Sequence, residues 1–389
     1  MNKLKVVHIH TDYKFVYNSL MFEDKEVENC TIVIEKTKKY NVKGENKKIK
    51  TYLNNEKDFA EIIEFCKKNA NLVVLYNLDL LKSRIALKLP SDIKIAWRFF
   101  GVELYSLNKS KFISRISFNK GIDFKEKFKI ELKNSPIIDK IYRFFSGKED
   151  FKRIFKEAVN RIDLVLMLSE EEYNHLDNNP LRLPKFIKLP HIIREDIEDY
   201  SDHAANLLKE KIKYRENSII VGNSRSIYNN HLDVIDIIEK YSSKKNKFIF
   251  LFNYGTLGVY TDKVLARLSN KANVEVINDF LPKDEFIKFY RKPVALVINS
   301  YRQLAWDNIR LALKNGVKVY LNDKNIHKSF LVNEGFKIFS MQDFKNDLKN
   351  DNLSFDKECA AYNINNFVEF AKNYSKLDFI KNLKAAINS

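Results

Sequence analysis

The chain is poor in the residues that cross-link or punctuate a fold: three cysteines, seven prolines and nine glycines in 389 residues. Cys30, Cys66 and Cys359 are odd in number, widely spaced and form no Cys-x-x-Cys pair, which argues against a disulfide framework and a cysteine zinc site. No stretch approaches the ~18 uninterrupted apolar residues of a membrane span. The amino-terminal apolar run Val6–Ile9 ends at once in His10, Thr11 and Asp12, so neither a spanning helix nor a signal peptide is expected. Internal repeats and low-complexity tracts are also missing.

What is present fits a globular protein: 45% hydrophobic and 31% charged residues, on a chain long enough for two cored domains. Basic residues dominate, 68 Lys+Arg against 51 Asp+Glu. Between Ser106 and Arg161 stand fifteen Lys or Arg and only seven acids, so nearly half of the net charge of +17 lies in that segment. Phe112, Phe118, Phe124, Phe128, Tyr142, Phe144, Phe145, Phe151 and Phe155 are interleaved there. A basic surface with aromatic faces suits an anionic membrane surface; the alternative is that the aromatics form an ordinary core. Nucleic acid is not an expected partner, because no recognised nucleic-acid-binding motif accompanies the charge.

Strand-length apolar runs alternate with helical patterns, which predicts an α/β fold of parallel sheets covered by helices. In the first half the strand candidates are Leu4–His10, Thr31–Glu35, Leu72–Asn77, Ile93–Phe99, Asp163–Ser169 and Phe186–Pro190. In the second they are Ser218–Gly222, Lys247–Asn253, Val274–Asn278, Val294–Asn299, Val317–Asn322 and Phe336–Phe339. The polar stretch Arg194–His203 reads as a linker between Rossmann-like, doubly wound domains at 1–200 and 207–389, with segment 106–161 assigned to the first. The tail Lys357–Ile387 reads as helical and as able to pack back on the other domain.

Open α/β sheets bind ligands at the carboxyl ends of their strands, so two such domains would face a central cleft there. One strand end reads VGNSRSIYNNHLD, Val221–Asp233: Gly222 permits a tight turn, Asn223 and Ser224 can donate or cap, and His231 stands in the next helix's first turn, whose amides favour an anion. A second reads NSYRQLAWDN, Asn299–Asn308, where Arg302 and Gln303 precede a helix able to hold a diphosphate. Either is also compatible with a plain capped connection.

Taken together, Gly222, Asn223, Ser224, Asn229 and His231, followed by Arg302, Gln303, Ala305 and Asn308, resemble the bacterial TDP-N-acetylfucosamine:lipid II N-acetylfucosaminyltransferase family, glycosyltransferase family 56 of enterobacterial common antigen synthesis. Tyr254 and Tyr260 look like that family's tyrosine-containing segment, and Trp97–Tyr105 (WRFFGVELY) resembles an amino-terminal one. Leu304, Trp306 and Asp307 depart from the family's pattern.

The resemblance implies a GT-B fold, an acceptor-binding amino domain, a nucleotide-sugar-binding carboxyl domain and no obligatory metal. No Asp-x-Asp pair occurs in the chain to hold a cation on a diphosphate, so neither a metal nor another cofactor is expected. Arg302 and Arg225 would neutralise the leaving phosphate. A base is still required; Asp12 is the first candidate, Glu103 the second, and His10, sharing a strand face with His8, is the third. The expected activity is transfer of a deoxyamino sugar from a TDP-sugar to a polyprenyl-diphosphate-linked saccharide, by a peripheral protein on the cytoplasmic face of the bacterial inner membrane. Rival readings are a transferase with other substrates, a nucleotide-sugar epimerase and a non-catalytic binding module.

Overall fold

A computed structural model describes residues 3–36, 49–105, 110–134, 150–177, 183–189, 216–243, 245–373 and 376–388. The chain divides into two compact units: Met1–Leu107 with Arg143–Ile193 and Tyr374–Ser389, and Asn108–Tyr142 with Arg194–Asn373.

The first unit is built on strands β1 (Leu4–His10), β2 (Val27–Glu35), β3 (Ile49–Leu53), β4 (Leu72–Tyr76), β5 (Lys94–Arg98), β6 (Leu164–Met167) and β7 (Lys185–Lys188). They form one sheet in the order β3-β2-β1-β4-β5-β6-β7, with parallel pairing throughout. All five residues of β4 are buried, the mark of a parallel strand covered on both faces. Helix Glu56–Asn69 starts where the Asn55 side chain accepts from the Asp58 amide. β3 was not foreseen: IKTYL is a short, half-exposed edge strand carrying a lysine, so it lacks a buried strand's apolar run.

The second unit's sheet contains β8 (Ser218–Val221), β9 (Lys247–Leu251), β10 (Val274–Ile277), β11 (Ala295–Ile298), β12 (Lys318–Leu321) and β13 (Phe339–Ser340). Their order is β10-β9-β8-β11-β12-β13, again all parallel. The last strand is displaced from the expected Phe336–Phe339. Phe336 turns instead onto Phe367 and Phe370 of helix Lys357–Asn373, after Gly335 reverses the chain at φ 85°.

The expected single helical tail is two helices, Lys357–Asn373 in the second unit and Lys376–Asn388 in the first. The latter seals the first unit's core by packing Phe379, Ile380 and Leu383 with Val6, Phe22 and Val74. The linker Arg194–His203 lies outside the described residues, apart from its assignment to the second unit.

The basic segment is divided in a way its sequence did not announce. Residues 108–142 belong to the second unit, not the amino-terminal one. Helix Arg115–Gly121 and its N-cap present small residues, Ser114, Ser117 and Gly121, that fit against helix His231–Tyr241 and Tyr260. The Ser114 amide donates to Asn230 Oδ1 at 2.7 Å, and the Ser114 and Ser117 hydroxyls both donate to the Asp233 carboxylate. A Cβ on Gly121 would stand 2.6 Å from the Tyr260 ring. Gly121→Val is therefore expected to destabilise the second unit by ~1–3 kcal/mol through overpacking, read as a lower denaturant midpoint at unchanged m-value; an unaltered midpoint would deny this helix its place.

Candidate functional site

In the second sheet the chain runs outward from β8 through β9 to β10, then returns to β8's other side as β11. β8 and β11 therefore flank the topological switch point, where adjacent strands feed loops that diverge to opposite faces and leave a crevice. The two sequence motifs are those two loops.

After β8, Gly222 adopts φ 70° and its amide donates to the Val297 carbonyl at 2.9 Å. A Cβ there would meet His231 Nε2 at 2.6 Å, so both dihedral and space select glycine. Asn223 donates to the Tyr254 hydroxyl. Asn229 folds its amide back onto the Ser224 carbonyl and hydroxyl at 3.1 and 3.2 Å. Arg225 reaches the carbonyls of Gly255 and Asn278 at 3.5 and 3.3 Å, tying the turns after β9 and β10 to the turn after β8.

His231 and Tyr260 build this loop from below. The Tyr260 hydroxyl accepts from the His231 amide at 2.9 Å and meets its Nδ1 at 3.2 Å. Burial lowers the His231 pKa to about 3, so the ring is neutral. The expectation that helix His231–Tyr241 offers its first amides to an anion is corrected here, because Tyr260 takes the His231 amide and the Asn230 carbonyl takes that of Asp233 at 3.2 Å.

Helix Trp306–Lys314, after β11, starts at Ala305 (φ 66°) and, like helix His231–Tyr241 at Asn230, has no side-chain cap; its dipole favours negative charge. Arg302 lies three residues upstream, half-buried, its guanidinium 4.6 Å from the centre of the Tyr228 ring. Gln303 is half-buried beside it in sequence. Asn308 turns inward instead, donating to the Tyr290 hydroxyl at 2.7 Å. The two loops are joined by Asn230, held at φ 49°, whose amide donates to the Asn299 carbonyl at 2.9 Å.

The first sheet has its own switch point between β1 and β4. Asp12 is exposed just beyond β1. The neighbouring Thr11 hydroxyl accepts from Lys82 Nζ at 2.8 Å, a fully buried ammonium that also pairs with Asp79. His10 does not present itself to solvent as a base would. It is 1% exposed, stacks on Tyr76 with ring centroids 3.8 Å apart, and is lowered to a pKa of about 3 by burial and by the nearby His8 and Lys82. Glu103 also turns inward: its Oε1 accepts from Trp97 Nε1 at 2.9 Å and from the Phe100 amide at 3.2 Å, while burial raises its pKa. Among the described residues no group of three or more His, Cys, Asp and Glu could hold a metal ion.

No protein-family model and no curated protein sequence matches the chain. Solved structures do. Sucrose-phosphate synthase from Thermosynechococcus elongatus superposes with TM-score 0.63 at 10% identity, covering 98% of each chain. HepE from Anabaena, solved with UDP and glucose, gives 0.61 at 11%, over 99% of this chain and all of that one. The trehalose-6-phosphate synthase of Burkholderia multivorans gives 0.59 at 8%, over 100% and 98%. The fold is GT-B.

Beyond Asn223, which was among the candidates, sequence reasoning missed several residues of this GT-B chain. Each of β8 to β12 is followed, directly or one residue on, by an asparagine: Asn223, Asn253, Asn278, Asn299 and Asn322. Asn322 donates to Asn299 Oδ1 at 2.7 Å, extending the Asn230–Asn299 connection across three strands. The repeated apolar-run-then-Asn pattern was the available signal. Lys82 and Arg98 were missed because both are charged residues buried in the first unit.

Proposed function

We propose that the chain is a metal-independent glycosyltransferase whose second unit binds a nucleotide sugar at the β8/β11 switch point. What carries this reading is the meeting there of two loops, one rigid and glycine-turned, the other bringing Arg302 to a helix start without a side-chain cap. A leaving diphosphate is stabilised by donors fixed before reaction, which need no reorganisation as charge develops. Gln303, Asn223 and Ser224 offer neutral donors and acceptors for the sugar hydroxyls, and Tyr254, 42% exposed, offers a ring for the base. Asn229, His231, Tyr260 and Asn308 act by shaping the loops, and Arg225 by clamping them.

We assign Asp12 as the base that deprotonates the acceptor hydroxyl, since it is the exposed carboxylate among the three candidates and lies beside the first sheet's switch point. The family resemblance of the two motifs favours a TDP-linked deoxyamino sugar, N-acetylfucosamine, as donor and a polyprenyl-diphosphate-linked saccharide as acceptor. The test incubates the chain with TDP- and UDP-sugars, with and without that acceptor. Nucleotide release from the TDP-sugar only when acceptor is present is the expected result. Sugar interconversion without acceptor would make it an epimerase, and binding without turnover a non-catalytic module.

An acceptor in a bilayer requires the protein to visit it, and no described helix is long and apolar enough to cross one. Helix Phe124–Asn134 supplies a docking face: Phe124 is 82% and Phe128 52% exposed, their rings stacked 6.3 Å apart, beside exposed Lys125. Phe155, by contrast, is core, packed on Trp97. Tyr142, Phe144 and Phe145 lie outside the described residues. Co-sedimentation with liposomes is expected to need anionic lipid, to weaken with salt and to fall on Phe124→Ser/Phe128→Ser; binding indifferent to all three would remove the membrane from the account.

A further inference from the structure

Two supports of Arg302 lead back to one side chain. Ser300, fully buried, donates its hydroxyl to the Arg302 carbonyl at 2.9 Å and accepts from the Arg302 amide at 3.3 Å, which folds the loop after β11. The Arg302 guanidinium rests on the Tyr228 ring. Asn230 meets the backbone behind each of these. Its Nδ2 donates to the Asn299 carbonyl at 2.9 Å, one residue before Ser300, and reaches the Tyr228 carbonyl at 3.5 Å. The Asn230 carbonyl in turn accepts from Asn299 Nδ2 at 3.4 Å.

Asn230 is fully buried at φ 49°, in the left-handed region that asparagine enters more readily than most residues. Its side-chain oxygen accepts from the Ser114 amide at 2.7 Å. Turned over, the amide group would set its NH2 against the Ser114 N–H and its oxygen against the Asn299 carbonyl, losing both bonds. Ser114 and Asn299 therefore admit a single orientation. Ser114 is itself held as the N-cap of helix Arg115–Gly121, its hydroxyl accepting from the Ser117 amide at 2.9 Å and donating to Asp233. The basic segment thus reaches both donor loops through one buried amide group.

We propose that Asn230 is the positioning residue of Arg302 and that Ser114 fixes Asn230, so that helix Arg115–Gly121 belongs to the donor site although it touches no nucleotide. The proposal rests on the reading of Arg302 as the cation that meets the diphosphate. Asn230 acts through Asn299, Ser300 and Tyr228. An arginine released from these supports must be ordered again by the ligand, and that ordering is taken from the affinity.

The test is calorimetric titration of the full chain with TDP, well below the melting temperature of the least stable variant and arranged as a double-mutant cycle. Asn230→Gly keeps the left-handed turn and removes both side-chain bonds. It is expected to weaken TDP binding about tenfold in the parent chain, but by less than about twofold in a chain that already carries Arg302→Ala. Asn230→Asp keeps the oxygen toward Ser114 and loses the donor toward Asn299; it should behave alike, and decides the matter if the glycine variant does not fold. Ser114→Pro removes the amide at a φ of −63° that proline adopts. It should weaken TDP binding about threefold or more beyond Ser114→Ala, which loses only the hydroxyl. A purely structural role would lower affinity equally with and without Arg302, and that result overturns the proposal, as does an Asn230 variant that binds TDP like the parent. Arg302→Ala that leaves TDP binding unchanged is the failure of the donor reading, and the proposal falls with it. Arg302→Ala that weakens binding where the Asn230 variants do not is the failure of the proposal alone.

Discussion

Arg302→Ala is expected to slow sugar transfer by ~10²–10³-fold, the typical loss when one fixed donor to a developing oxyanion is removed. The same substitution should hardly change stability. Arg302 is half-buried, and among the contacts it loses is the face of Tyr228, worth ~0.5–1 kcal/mol at an exposed site. That corresponds to a fall in melting temperature of no more than ~2–4 °C for a unit of this size. Arg302→Lys should recover only part of the rate, since an ammonium cannot present a planar fork. Rate and melting temperature measured side by side decide the matter. Turnover like that of the parent chain would take Arg302 out of the site, and a large thermal loss would make its role one of folding.

Mild acid should destabilise both units. His8 and His327 are lowered to pKa values of about 4, and His10 and His231 to about 3, with burial the largest cause in every case. The unfolded chain binds protons at these four positions near pH 6.5 while the folded chain refuses them, so stability is full above about pH 6.5 and is lost as pH falls toward about 4. At pH 5 each histidine withdraws about 2 kcal/mol. Two lie in each unit, so each unit loses about 4 kcal/mol, a large share of the 5–15 kcal/mol typical of a folded protein. Glu103 and Asp233, both raised by burial, return some of this as their charge is relieved. Calorimetry should show the transitions falling by roughly 10 °C between pH 7 and pH 5. A flat profile over that interval would mean that these rings are not buried neutral.

The histidines also show where the sequence was readable. Strand alternation placed His8 and His10 on one face of β1, and the structure agrees. What covers that face was not readable, because Phe22 packs on His8 at 4.8 Å and is itself backed at 5.1 Å by Phe379, more than 350 residues further along the chain. A carboxyl-terminal helix thus backs the cover over His8, while His10 is covered by Tyr76 and Ser19. Glu103 misled in a similar way, since Gly101 at φ 91° turns the chain so that the carboxylate closes onto Trp97 rather than facing outward.

The parallel sheets were legible because uninterrupted apolar strands separated by amphipathic helices admit few other arrangements. The loop motifs were legible as a pair, but the order β9-β8-β11, which makes them neighbours, comes only from the pairing of strands far apart in sequence. The assignment of residues 108–142 to the second unit depends likewise on small residues, Ser114, Ser117 and Gly121, whose partners Asn230, Asp233 and Tyr260 lie more than a hundred positions away.

The most direct measurement is a crystal structure of the chain with TDP. The account predicts the diphosphate between the turn Gly222–Ser226 and the start of helix Trp306–Lys314, with the Arg302 guanidinium within hydrogen-bonding distance of it. TDP bound at saturation elsewhere, with Arg302 still resting on Tyr228 and both turns unoccupied, would contradict it.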